Sequence, residues 1–353
     1  MRTYKTVGVA GVVSLILVTA LAGCGGSGAS GGGEAAGPPV AADAEQWRTI
    51  ENDANAEGAL TAYVSLTGMD PVFDDFRNAY PDIDVTVEQV PTADLLPRLD
   101  QEISVGAEGA DVAFHASPGW FADNTQNFAT LELGPAVQET GGVDRVGDQN
   151  YTGVYGFPNV ISYRTTEAAP VNLEQLLDTN PDARIGIVDP RRSSPFVTYQ
   201  YKVLQDAFGD DFMTRLSEAN VTVVPSNPQL TEGIAAGDFD YAYPDIASIT
   251  QAVIDKGAPV GIVVPEGPSV AGVHYNAAIL ENAAHTNAAN VFMNWLMSAP
   301  GATSLARHLK PAVTPIDVEG SLPWDSVSVF DVDQWTSEAQ NDWISENFAP
   351  NFG

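Results

Sequence analysis

Short stretches in which apolar and polar residues alternate are followed, again and again, by longer ones in which apolar residues recur three and four positions apart. The first period suits a strand and the second the buried face of a helix, so the chain reads as repeated strand-helix units. Glu45 to Ala56 is expected to be helical and Leu60 to Ser65 a strand; after a turn at Leu66, Thr67 and Gly68, Asp70 and Pro71 open a helix with Val72, Phe73, Phe76 and Ala79 on one face. Val85 to Val90 is the next strand. Thr92 then caps a helix bearing Leu95, Leu96, Leu99 and Ile103, and Val112 to Phe114 is a short strand feeding His115 to Gly119 and a helix from Trp120.

Tyr151 to Thr165 breaks this rhythm. Gly153, Gly156 and Pro158 exclude a helix, while Val154, Phe157, Val160, Ile161 and Tyr163 suit extended, buried chain. The unit pattern then resumes: strand Ile185 to Val188, a polar turn from Asp189 to Pro195, a helix to about Phe208, and a helix from Asp210 to Ala219. Strand Val221 to Val224, helix Pro228 to Ala236, strand Tyr241 to Tyr243, helix Ile246 to Lys256 and strand Val260 to Val264 follow. Ser269 to Asn276 is expected to cross back, since Asn287 to Ser298 reads as an amphipathic helix without a strand nearby. The predicted fold class is α/β: two doubly wound, parallel lobes joined by crossover strands, with a ligand cleft between them. In the tail, Trp324, Trp335 and Trp343 are expected to pack across the lobes as core rather than as a ligand cage.

The start of the chain differs. Arg2 and Lys5 precede an uncharged run from Val7 to Gly23, the pattern of a secretory signal, with a membrane span as the alternative. Gly25 to Ala42 contains seven glycines, two serines and a Pro38, Pro39 pair, the composition of a flexible tether. The predicted organisation is a signal over 1–23, a tether over 24–42, the first part of lobe 1 over 43–152, a crossover over 153–165 and lobe 2 over 166–268. Residues 269–353 return to lobe 1 and add the tail. Lys and Arg number 15 against 46 Asp and Glu, a net charge of −31, which argues against nucleic acid as a partner and for a solvated acidic surface.

Ligands of open α/β sheets bind beyond the carboxyl ends of the strands. That rule selects the turns Ser65 to Thr67, His115 to Gly119, Arg191 to Thr198 and Tyr243 to Ser248. Ser and Thr hydroxyls beside backbone N–H groups at helix starts suit an anion; any one alone is better explained as an ordinary cap, and several facing one cleft favour the ligand. Arg191 and Arg192 either meet an anionic ligand or answer nearby carboxylates. Asp238, Asp240 and Asp245 match no calcium loop, and His115 has neither a second histidine nearby nor an HExxH pattern, so no metal site is predicted. The GxSxG string at Gly28 to Gly32 lies in the tether, and a GxxxxGK[ST] loop is missing. A secreted hydrolase is therefore only a distant alternative. Neither catalytic residues nor a cofactor are predicted.

Two resemblances sharpen this reading. Leu21, Ala22, Gly23 and Cys24 resemble a bacterial lipobox, which implies lipidation of Cys24, the single cysteine, and anchoring on the extracytoplasmic face of the cell membrane. EGALTAYVSLTGMDPVFDDFRNAYPDIDV from Glu57, GADVAFHASPGWFAD from Gly109, TGVYGFPNVISYRT from Thr152, ARIGIVDPRRSSPF from Ala183 and GIAAGDFDYAYPD from Gly233 resemble solute-binding receptors of bacterial ABC importers. The branch is that of ferric-ion, phosphonate and sugar-phosphate binders. The resemblance implies a two-lobed monomer that hinges about Tyr151 to Thr165, closes on one small solute and presents it to a membrane permease. Ferric members typically offer a histidine in the first turn, a glutamate in the second and adjacent tyrosines in the fourth. Here Thr67 and Ala116 stand in the first two places, and Ala242 separates Tyr241 from Tyr243. An organic solute with an anionic group (phosphonate, organophosphate or carboxylate) is thus expected, a ferric ion or chelate being the alternative. The expected contacts are Ser65, Thr67, Ser117, Ser193, Ser194 and Tyr243, with Asp245 for an amine or hydroxyl on the same solute.

Overall fold

In the computed structural model of the protein, residues 37–331 and 334–353 are described; the expected signal, Cys24 and the tether up to residue 36 lie outside the described residues. Two sheets organise the rest. The seven-stranded sheet of lobe 1 runs Ser321–Pro323, Ala312–Thr314, Tyr151–Pro158, Gly272–Ile279, Val112–His115, Ala59–Val64, Asp84–Gln89. The five-stranded sheet of lobe 2 runs Val260–Val263, Val160–Arg164, Tyr241–Asp245, Ile185–Val188, Val221–Val224. Strands linked by helices pair in parallel, as with Leu60 opposite Val85 and Ile187 opposite Val223. Gly272–Ile279 and Val160–Arg164 instead run antiparallel to both their neighbours. The sheets are therefore mixed, not wholly parallel as the helix-strand alternation suggested. A strand arriving from the other lobe enters its sheet at the cleft end and must run against the strands already there.

Helix Asp70–Ala79 buries Val72, Phe73 and Phe76, and the rings of Phe73 and Phe76 lie 5.2 and 4.9 Å from that of Phe292. Phe292 belongs to helix Thr286–Leu296, in which every residue from Ala288 to Leu296 is buried. The amphipathic expectation fails there for a definite reason. The helix is covered by helices Ala44–Glu57 and Ala299–His308 as well as by sheet, and its polar residues serve a neighbouring edge. Asn290 Oδ1 accepts from the Glu132 amide at 2.7 Å and Asn294 Oδ1 from the Gly134 amide at 2.7 Å. Strand Val40–Ala41 pairs with Glu132–Leu133 there, so the end of the expected tether is docked on lobe 1.

The lobes meet at a waist crossed three times. Asn159 separates strand Tyr151–Pro158 of one sheet from Val160–Arg164 of the other, and its amide donates to Ala271 O at 2.9 Å. Ala271 lies on the return crossing, where Gly272 donates to Ser328 O at 2.9 Å and Ser328 to Val270 O at 2.8 Å. The third crossing is the tail itself. Gln200, wholly buried on helix Pro195–Phe208, fastens the bundle: its Oε1 accepts from the Ala271 amide (2.8 Å) and Asn159 Nδ2 (3.2 Å), and its Nε2 donates to Ser269 O (2.8 Å). Beyond the waist the tail lies on lobe 2. Trp335 Nε1 donates to Pro195 O at 3.3 Å, Trp343 Nε1 to Gln205 Oε1 at 2.9 Å, and Phe348 packs 5.7 Å from the ring of Tyr201.

Candidate functional site

Two adjacent cavities occupy the cleft, of about 460 and 730 Å³, with Phe157, Ile246 and Tyr275 in the walls of both. The smaller lies between the 65–68 turn of lobe 1 and the start of helix Ala247–Ile254 in lobe 2. Strand Ala59–Val64 ends at Ser65, and Gly68, at φ +83°, lets the chain reverse into helix Asp70–Ala79 while Thr67 stays exposed to the cavity. Opposite, Ile246 provides no side-chain cap, and Ala247 and Ser248, whose first-turn amides have no intrahelical acceptor, line the cavity. Lys310 stands on the same wall and makes no ion pair among the described residues. Asp255 is the carboxylate of this wall. Tyr155 donates to Leu309 O at 3.1 Å, and burial pushes its phenol well above the usual range, as it also raises that of Tyr275.

The larger cavity is floored by the lobe 1 sheet. Asn276 pairs with His115 on one side and with Gly153 on the other, and two residues earlier His274 pairs with Gly156. The two glycines are needed for close approach. A Cβ at Gly153 would lie 2.5 Å from the Trp324 ring, and one at Gly156 would lie 2.6 Å from the His274 ring. The Trp324 and His274 rings are stacked, with centroids 3.6 Å apart and planes at 21°. Desolvation keeps both histidines neutral: it lowers His115 and pushes His274 down to about 4. Phe157 meets Phe196 of lobe 2 edge-on at 6.1 Å, so an aromatic contact bridges the lobes inside the cleft. Arg145 also lines this cavity and donates to the carbonyls of Thr140 and Met297.

The structure divides the residues selected from the sequence. Ser65 and Thr67 line the smaller cavity, Ser117 and Ser194 the larger, and Ser193 neither. Tyr243 is fully buried, its hydroxyl directed to Ser269 O (3.4 Å) at the waist. Asp245 is fully buried as well. Its oxygens accept from Ser162 Oγ (2.6 Å), Thr250 Oγ1 (2.6 Å), Thr231 Oγ1 (3.2 Å) and the Ile246 amide (2.8 Å), and burial raises its pKa despite those bonds. Neither Tyr243 nor Asp245 lines either cavity. Arg191 forms a two-pronged pair with Asp189, with Nε and Nη2 both at 2.9 Å, and donates to Gly353 O; it therefore answers a carboxylate and the end of the tail. Arg192 is exposed, and Asp240 is engaged by Arg184 at 2.5 Å. Trp324, expected in the core, forms cavity wall. Among the described residues no group of three or more His, Cys, Asp or Glu is placed to hold a metal ion.

Sequence reasoning passed over Tyr155, Phe157, Tyr275, His274 and Asn276, which form much of the cleft. One signal was available: Gly153 and Gly156 inside a strand mark a surface that something else approaches closely.

A family model described as a bacterial extracellular solute-binding protein matches residues 67–308, well over half of the 353-residue chain. No curated protein matches it. Similar solved structures include the substrate-binding protein of an ABC transporter from Agrobacterium tumefaciens (21% identity, 81% of this chain and 93% of that one, TM-score 0.59). Another is the spermidine/putrescine ABC transporter substrate-binding protein from Streptococcus pneumoniae (14%, 83% and 98%, 0.61). A third is a periplasmic binding protein from Actinobacillus pleuropneumoniae with fructose 6-phosphate bound (17%, 82% and 98%, 0.54). At such identities the likeness establishes the fold: two lobes of mixed α/β structure around a cleft. Among the described residues no helix is long and apolar enough to cross a membrane.

Proposed function

We propose, from the premise that this chain belongs to the bacterial extracellular solute-binding proteins, that it is the receptor of an ABC importer for a small solute with an anionic group. It captures the solute between the lobes and hands it unchanged to a membrane permease, acting as a monomer tethered through a lipid on Cys24. The fold relatives include one protein named for polyamines and one holding a sugar phosphate, so the sign of the solute's charge has to be argued from this cleft. The observation that favours an anion is the smaller cavity. The Ser65 to Gly68 turn, the open first turn at Ala247 and Ser248, and Lys310 converge on one space in a chain of net charge −31. A bare ferric ion finds little there. Fe(III) wants anionic oxygens, whereas Asp255 is the lone carboxylate among the wall residues of the two cavities and the buried Tyr155 and Tyr275 phenols resist ionisation.

Thermal-shift titration of the chain against phosphonates, sugar phosphates, carboxylates, polyamines and ferric citrate tests the proposal. A bound anion at a hundred times its dissociation constant adds about 2.7 kcal/mol, a shift of a few degrees. A response confined to polyamines or to ferric citrate would overturn the anionic reading.

A further inference from the structure

The larger cavity contains polar groups that the protein leaves unused. Asn276 is 8% exposed, yet its side-chain amide makes no hydrogen bond among the described residues and lines the cavity. Its cross-strand neighbour His115 is 6% exposed, and the Nδ1 of that ring is buried without a partner. The tautomer of His115 follows from its other nitrogen. Nε2 lies 3.2 Å from Thr92 O, a carbonyl that can only accept, so Nε2 bears the hydrogen and Nδ1 presents a lone pair. The unpaired His115 nitrogen is buried, a cost to the folded chain that such groups ordinarily avoid, and the unbonded Asn276 amide opens onto the cavity beside it. Aromatic side chains line the cavity around them: Trp324, which lies against Gly153, and Phe157, Phe196 and Phe330. Aromatic walls with Asn276 and His115 on the floor, beside the likewise unpartnered His274 Nε2 and a rim that includes Arg145, Gln149 and Ser117, complement a planar ring with nitrogen donors and acceptors on its edge.

Resting on the receptor reading above, we infer that the solute has two parts, an anionic group in the smaller cavity and a planar nitrogen heterocycle in the larger one, read at its edge by Asn276 and His115. Phe157 and Tyr275, shared by both cavities, mark the junction between the parts. The test compares matched phosphate esters by isothermal titration: pyrimidine, purine and pyridine monophosphates against ribose 5-phosphate and glycerol phosphate. At least one ring ester binds ten times or more tighter than both ringless esters. Asn276→Ala brings that ester to within about twofold of them and leaves the ringless affinities unchanged. Asn276→Asp, which keeps the shape but loses the donor, serves as a second variant should the alanine form fold poorly. Equal binding of ring and ringless esters, or a variant that weakens both alike, overturns the heterocycle and leaves the anion receptor standing. Failure of every ester to bind overturns the heterocyclic ester, and overturns the anion receptor too only if phosphonates and carboxylates also fail in the thermal-shift titration.

Discussion

The turn after Ala59–Val64 and the turn after Tyr241–Asp245 have the same grammar, a strand end, a polar residue or two and a helix start, but opposite fates. At the first, Thr67 and Gly68 remain exposed to the cleft. At the second, Asp245 turns inward and is consumed by three hydroxyls and an amide, two of those hydroxyls from Ser162 and Thr231, far from it in sequence. A polar turn at the right end of a sheet is thus available to a ligand only if the protein has not already spoken for it. Donors elsewhere in the chain decide that.

The largest effect should come from removing the inward carboxylate. Asp245→Ala leaves Ser162, Thr231, Thr250 and the Ile246 amide without their acceptor, and a loss of about 3 kcal/mol or more is expected in chemical denaturation. A loss below about 1 kcal/mol would erase the distinction between the turns. An intermediate case is His274, which is turned inward but left unsatisfied at Nε2. Its folded pKa of about 4 lies below the ordinary 6.5, so folding favours the neutral ring. That stability is present above pH 6.5 and is lost as pH falls toward 4, on the order of 2 kcal/mol by pH 5. Melts at pH 7 and 5 should show His274→Gln losing less than the native chain over this interval; equal losses would place the pH sensitivity elsewhere. The smallest change in stability belongs to the open turn. Thr67→Ala should stay within about 0.5 kcal/mol of the native chain while weakening anion binding several-fold by titration. If stability falls and affinity does not, the first turn is as internal as the second.

The same contrast explains what could be read in advance. Strand and helix order in both lobes was legible because Val72, Phe73 and Phe76, or Ile185 to Val188, announce their periods locally. The crossover at Tyr151 to Thr165 was legible because glycines and a proline interrupt that period. The inward fate of Tyr243 and Asp245 was not, since it depends on Ser269 and on hydroxyls from three other segments. The aromatic lining was misread for a related reason. A half-buried Phe157 or Trp324 has the same sequence signature whether it faces a core or a ligand, and only the neighbouring glycines differ.

The triple crossing of the waist bears on how the molecule can be made. Lobe 1 places its early strands beside Gly272–Ile279, and lobe 2, whose strands come from the middle of the chain, receives Trp335, Trp343 and Phe348 from its last residues. A chain emerging from its amino end therefore completes neither lobe until residues beyond 270 have followed, and pairings over such separations form slowly. Each lobe waits for a segment that lies beyond the other in the chain.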